Sequence, residues 1–190
     1  MDLEQTLTHG LHGSSTLDWA MTALNETSTG GSAPTLHITH QKDGLMMATF
    51  GPVCIAVWHA QPTPDSFEVQ RAHLATAVLA DPGRAFFLCV VSSSAPPPEQ
   101  AVRDASASMI TGHGVKLAGC ACVIEGSGFR AAITRTVLSG IALFIRSPSP
   151  VTFFESVASA CFWLDKRAGR NVSRGLASAL EQARVEFVSK

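Results

Sequence analysis

Three short apolar runs constrain this chain more than any other feature. They are Val53–Trp58 (VCIAVW), Ala85–Val91 (AFFLCVV) and Leu117–Ile124 (LAGCACVI). None alternates apolar with polar residues, and each is too short for a buried helix, so each reads as a strand covered on both faces. Strands of that kind need a layer on either side of the sheet. The segments between them have helical spacing, which predicts an α/β layer fold. Composition agrees: 46% of residues are hydrophobic and only 15% are charged, below the usual ~25%.

The sheet opens with a hairpin. Leu36, Ile38 and His40 alternate with His37, Thr39 and Gln41, Lys42-Asp43-Gly44 is a turn signal, and Leu45–Phe50 is the return strand. Pro62-Thr63-Pro64-Asp65 starts a helix with Phe67, Leu74 and Val78 on one face, and Asp81-Pro82-Gly83 stops it. Ser92–Pro98 is a loop. A helix from Glu99 carries Val102, Ala105 and Met109, and Gly112 and Gly114 end it. Gly126-Ser127-Gly128 leads into a helix in which Phe129, Ile133, Val137, Ile141 and Phe144 lie on a three–four rhythm. Where that apolar stripe is exposed it is an oligomer interface. Val151–Phe154 is a short strand, Glu155 or Ser156 begins a helix through Leu164, Gly169–Asn171 breaks it, and Ser173–Val188 is a terminal helix.

Residues 1–34 differ in being rich in Thr, Ser and Gly, and read as an arm. Ser15–Asp18 fits the start of a short helix with Leu17, Met21 and Leu24 on one face. The expected organisation is this arm, an α/β domain over 35–168, and a C-terminal helix over 169–190 that packs on the domain or on a partner.

Composition excludes some classes. The formal net charge of −1 argues against bulk electrostatic binding of nucleic acid. No membrane span and no secretory signal are expected, because no run is long and apolar enough and the N-terminus lacks a basic segment followed by an apolar one. The five cysteines have no framework spacing and sit in apolar surroundings, so they read as reduced core residues of a cytoplasmic protein.

A hairpin followed by strand–helix units, ending in Val151-Thr152-Phe153-Phe154-Glu155-Ser156 and then Ala160-Cys161-Phe162-Trp163-Leu164, resembles the STAS domain, in its SpoIIAA-like (STAS/SEC14) form. The resemblance covers roughly residues 35 to 166. It implies a STAS-like mixed sheet packed against helices, and a non-enzymatic regulatory or scaffold role exercised through a protein partner or through self-association. In STAS antagonists the switch is a serine within Asp-Ser-Ser-Gly, at the start of the helix after a central strand. That place here holds Ser92, Ser93 and Ser94 followed by Ala95 and three prolines, without the aspartate or the glycine. The three serines are therefore the candidate phosphorylation or partner loop, and the other reading of them is an ordinary polar loop. A phosphate on Ser93 or Ser94 would sit near a helix N-terminus, which favours negative charge.

Gly126, Ser127, Gly128 and Arg130 form the candidate anion-binding set. Glycines admit backbone amides to a phosphate at a helix N-terminus, and Arg130 adds a forked donor. Neither the Rossmann nor the P-loop pattern is complete, and Ser127 serves equally as a helix cap. A small phosphorylated ligand, a nucleotide or a lipid would be the alternative partner. A hydrolase is the second alternative: His59 after a central strand could meet Ser92 or Ser93 from the next strand end, with Glu125 as a lone carboxylate that equally could pair with Arg130. No catalytic set is complete. His37 and His40, three apart in a strand, are expected on opposite faces, and none of the seven histidines joins a ligand set, so no metal or other cofactor is expected. Trp163, Phe162 and Phe153 read either as a cluster between the last helix and the sheet or as an exposed aromatic patch for a partner or lipid.

Overall fold

A computed structural model describes residues 34–96, 104, 117–126 and 149–188. These hold one six-stranded sheet in which strand order follows chain order: β1 (Leu36–Lys42), β2 (Leu45–Phe50), β3 (Val53–Trp58), β4 (Phe86–Val91), β5 (Gly119–Ile124) and β6 (Val151–Phe154). β1, β2 and β3 pair antiparallel, while β3 to β6 pair parallel. The sheet is therefore mixed, opening with a hairpin and continuing by crossovers, as the sequence predicts.

The hairpin turn needs its two residues. Asp43 and Gly44 both take positive φ, 53° and 74°, the geometry that matches the twist of the flanking strands. Gly44 also lies against Ala60, where a Cβ would come within 2.3 Å of that residue's own Cβ. β1 departs from strict alternation. The register shifts between Ile38 and His40, so His37 pairs with Thr49 and His40 with Met47. Thr49 and Met47 share a face of β2, and this bulge therefore puts the two histidines on one face rather than on opposite ones. His40 lies beside His73, with ring centroids 6.3 Å apart.

Every residue of β3 is buried, as expected for a central strand with a layer on either side. One face collects Met46, Ile55, Val57, Leu88 and Val123. The opposite face collects Leu45, Cys54, Trp58, Phe87 and Cys120. Helix α1 (Pro64–Ala80) covers part of this second face through Leu74. Thr63 caps it in a reciprocal box with Ser66, and Pro64 takes a first-turn position. Gln70, buried on α1, accepts a hydrogen bond from Trp58 Nε1 at 3.0 Å, so the indole at the end of β3 is satisfied.

Two helices share the first face. α2 (Val157–Ala168) starts at the Ser156 cap and ends at Gly169, in the left-handed conformation with φ 65°. It buries Ala160, Cys161 and Leu164. Gly119 lets it approach β5: a Cβ there would lie 2.7 Å from the Trp163 ring. α3 (Leu176–Val188) buries Leu176, Leu180 and Ala183. It begins later than Ser173, the residue the sequence suggests. Ser173 instead serves α2, its amide donating to Asp165 Oδ1 at 2.8 Å and its hydroxyl to the Cys161 carbonyl at 3.2 Å.

Among the described residues no helix is long and apolar enough to cross a membrane. All five cysteines are free. Burial pushes the Cys54 thiol up to about 12, and raises that of Cys161.

Candidate functional site at the carboxyl ends of the parallel strands

In an open α/β sheet the loops leaving the carboxyl ends of parallel strands converge. Here they bring together His59 after β3, Ser92–Ser94 after β4 and Glu125 after β5. Backbone hydrogen bonds fix the stations: Ser92 N–H donates to the Trp58 carbonyl at 2.8 Å, and Glu125 N–H to the Val91 carbonyl at 3.0 Å. His59 N–H donates to the Gly44 carbonyl at 2.8 Å, tying the hairpin turn to the same end.

The last turns of α3 close over these ends. Arg184 grips Glu125 with two parallel hydrogen bonds, Nη1 to Oε1 at 2.7 Å and Nη2 to Oε2 at 2.6 Å. The side chains are only 13% and 22% exposed, so this pair is far less screened than an ordinary surface pair. Glu181 lies 3.7 Å from the same guanidinium. The bond to Glu125 raises the arginine's pKa further. Glu125 is thus committed to an arginine 59 residues away, while Arg130, the partner the sequence suggested, lies outside the described residues.

His59 packs against Phe187 of α3, with ring centroids 5.1 Å apart and the ring planes inclined at 59°. Its Nε2 is buried and has no hydrogen-bond partner among the described residues. Burial holds the imidazole below its ordinary value of 6.5, Arg184 pushes it the same way, and Glu125 opposes them. These effects favour the neutral ring. Ser92 and Ser94 share a hydrogen bond at 3.1 Å, and Ser94 Oγ donates to the His59 backbone carbonyl at 3.5 Å. The hydroxyls of Ser92 and Ser94 therefore bond each other and the main chain, and among the described residues no serine hydroxyl bonds His59 Nε2. Ser92 is buried and anchors the turn, whereas Ser93 and Ser94 are exposed.

Gly126 follows at the end of β5 with φ 111°. The rest of the anion-binding set, Ser127, Gly128 and Arg130, lies outside the described residues, as do the helix after the serine loop and the stripe through Ile141 and Phe144. Cys120 and Cys122 share a face of β5, with their sulfurs 3.8 Å apart. Contact with Cys122 and burial push the Cys89 thiol well up, which suits core residues better than nucleophiles. No group of three metal-ligating side chains assembles among the described residues.

Away from this end, the aromatic cluster differs from the expected one. Trp163 packs on Phe154, with centroids 5.9 Å apart, rather than on Phe153, and Arg167 lies over the indole at 5.7 Å. Phe162 is 73% exposed. Helix phase decides this: with Ala160, Cys161 and Leu164 buried, residue 162 falls on the outer side.

No family model and no curated protein matches this chain. Among solved structures it is similar to an uncharacterized protein of the DUF3478 family with a SpoIIAA-like fold from Shewanella loihica PV-4. That likeness has 15% identity and a TM-score of 0.46, and covers 72% of this chain and 98% of the other.

Proposed function

We propose that this chain is a non-enzymatic regulatory or scaffold domain of STAS-like, SpoIIAA-like type, acting in the cytoplasm by binding a protein partner. Its contact surface is the Ser92–Ser94 loop. The observation that carries this reading is the employment of the site's polar groups. The serine hydroxyls build the loop, Glu125 holds Arg184, and His59 is packed on an aromatic ring. A hydrolase needs those groups aimed at one another, whereas an interaction loop needs a firm base and an exposed tip. Ser93 and Ser94 supply that tip on the buried Ser92. Strand order without a reversal among β3–β6 also supports it, since ligand crevices open where the order reverses.

The test is native mass spectrometry of the protein purified gently from its own host. The expected species is a complex with a second protein and no small-molecule mass. Ser93→Glu with Ser94→Glu dissociates it, and Ser93→Ala with Ser94→Ala preserves it. A retained small molecule with no protein partner rejects the proposal. One observation favours that second reading, a phosphorylated ligand at Gly126–Arg130: the positive φ of Gly126 turns the chain sharply as it leaves β5.

A further inference from the structure

Positive charge gathers at the carboxyl end of α2. Lys166, Arg167, Arg170 and Arg174 fall within nine positions, and Asp165 is the one acid between Glu155 and Glu181. All four cations are exposed. The fold draws them to one corner. Ser173 is tied to α2 through Asp165 and the Cys161 carbonyl, so Arg174 is kept beside the helix that carries Lys166 and Arg167. Arg170 lies in the connection just past Gly169. Elsewhere arginines are matched, Arg71 with Glu68 and Arg184 with Glu125. Among the described residues none of these four cations forms an ion pair with a carboxylate.

The fold itself accounts for two of them. Lys166 and Arg167 occupy the last turn of α2, where cations complement the helix dipole. Arg167 also donates to the Ala118 carbonyl and lies over Trp163. Arg174, by contrast, stands two residues before α3, at the positive end of that helix's dipole, and no acid in the first turn offsets it. Such an arrangement leaves positive potential for something outside the chain. Phe162 decides what that is. It is 73% exposed and precedes Lys166 by one helical turn, on the same side of α2. An acidic peptide would answer the charges alone. Nucleic acid calls for a basic track that follows its backbone, and these cations are confined to one corner. Cations around a bare aromatic ring match a lipid surface, where charges meet the headgroups and the ring reaches the acyl boundary.

We infer that this corner docks on an anionic membrane surface, with the four cations at the lipid phosphates and Phe162 at the acyl boundary. The contact is peripheral, since no described helix is long and apolar enough to cross a membrane. The inference goes beyond the serine-loop reading and uses other residues. Co-sedimentation of the full chain with vesicles tests it. Binding is expected to vesicles of phosphatidylcholine with about a third phosphatidylserine, and not to phosphatidylcholine alone. It should fall steeply between about 0.1 M and about 0.5 M salt. Arg170→Gln with Arg174→Gln should weaken it by about fivefold for each charge removed. Phe162→Ala should weaken it by about tenfold. Both variants should keep the wild-type thermal midpoint, because the side chains are exposed. Ser93→Ala with Ser94→Ala should leave vesicle binding unchanged, which separates this surface from the serine loop. Failure to bind the anionic vesicles, equal binding to neutral ones, or indifference to the arginine pair overturns the inference. So does binding that Phe162→Ala leaves intact, which would mark charge attraction without a bilayer.

Discussion

Helices α2 and α3 lie on the same face of the sheet and sink similar residues into one core, yet they finish their outer surfaces differently. α3 is fastened at its far end: Arg184 clasps Glu125, and Phe187 lies on His59. α2 is secured at both ends, by the Ser156 cap and by Gly169, but leaves Phe162 in water beside an open groove. The strand-end cluster looks like a catalytic set by composition, but Glu125 spends its bonds on α3 and Ser92 and Ser94 spend theirs on their own loop. The outer side of α2 carries no such bonded polar cluster, and its one large apolar side chain, Phe162, stays exposed. Bonded polar groups finish the surface under one helix, and an exposed aromatic ring marks the other.

The comparison can be broken first in the shared core. Leu164→Ala on α2 and Leu180→Ala on α3 each remove a fully buried side chain, and each should cost about 2–5 kcal/mol in urea unfolding. A large loss from one helix only would mean that the two do not share a core. Arg184→Met comes next. It strands a half-buried carboxylate and should cost about 2 kcal/mol. In a double-mutant cycle the addition of Glu125→Gln should cost less than the sum of the single changes. Additivity would show that the pair contributes nothing to fastening α3.

The smallest effect concerns His59. Its folded pKa lies below 6.5, so between those two values the unfolded chain binds the extra proton and stability falls as pH drops. His40 shifts in the same direction, through burial first and His73 second. His59→Phe should therefore flatten, without abolishing, the decline in stability below about pH 6.5, measured by thermal midpoints from pH 7.5 to 5. An unchanged slope would mean that the ring is not sequestered against Phe187.

Much of the sheet is legible in the sequence because its strands are short, apolar and punctuated. Val53–Trp58 and the Asp43-Gly44 turn are plain from composition and local rules. The bulge in β1 is not, since Thr39 is polar and at home on either face. The start of α3 is hidden for a related reason: Ser173 has the chemistry of a cap but is used by the helix before it. The Glu125–Arg184 pair joins residues with no local relation, and periodicity speaks only within an element. Phe162 and Trp163 are neighbours in the chain, and only the packing of Ala160 and Leu164 settles which one turns inward.

Because strand order repeats chain order, the sheet can be assembled in the sequence in which synthesis delivers it, each strand adding to the edge just completed. The two helices that cover its first face come last, at residues 157–168 and 176–188. Until they leave the ribosome, the apolar side chains of β2, β3 and β4 on that face lack the cover of those helices. The dangerous interval for aggregation is thus the end of translation, and a nascent chain halted just after β6 is the species a chaperone would have most cause to hold.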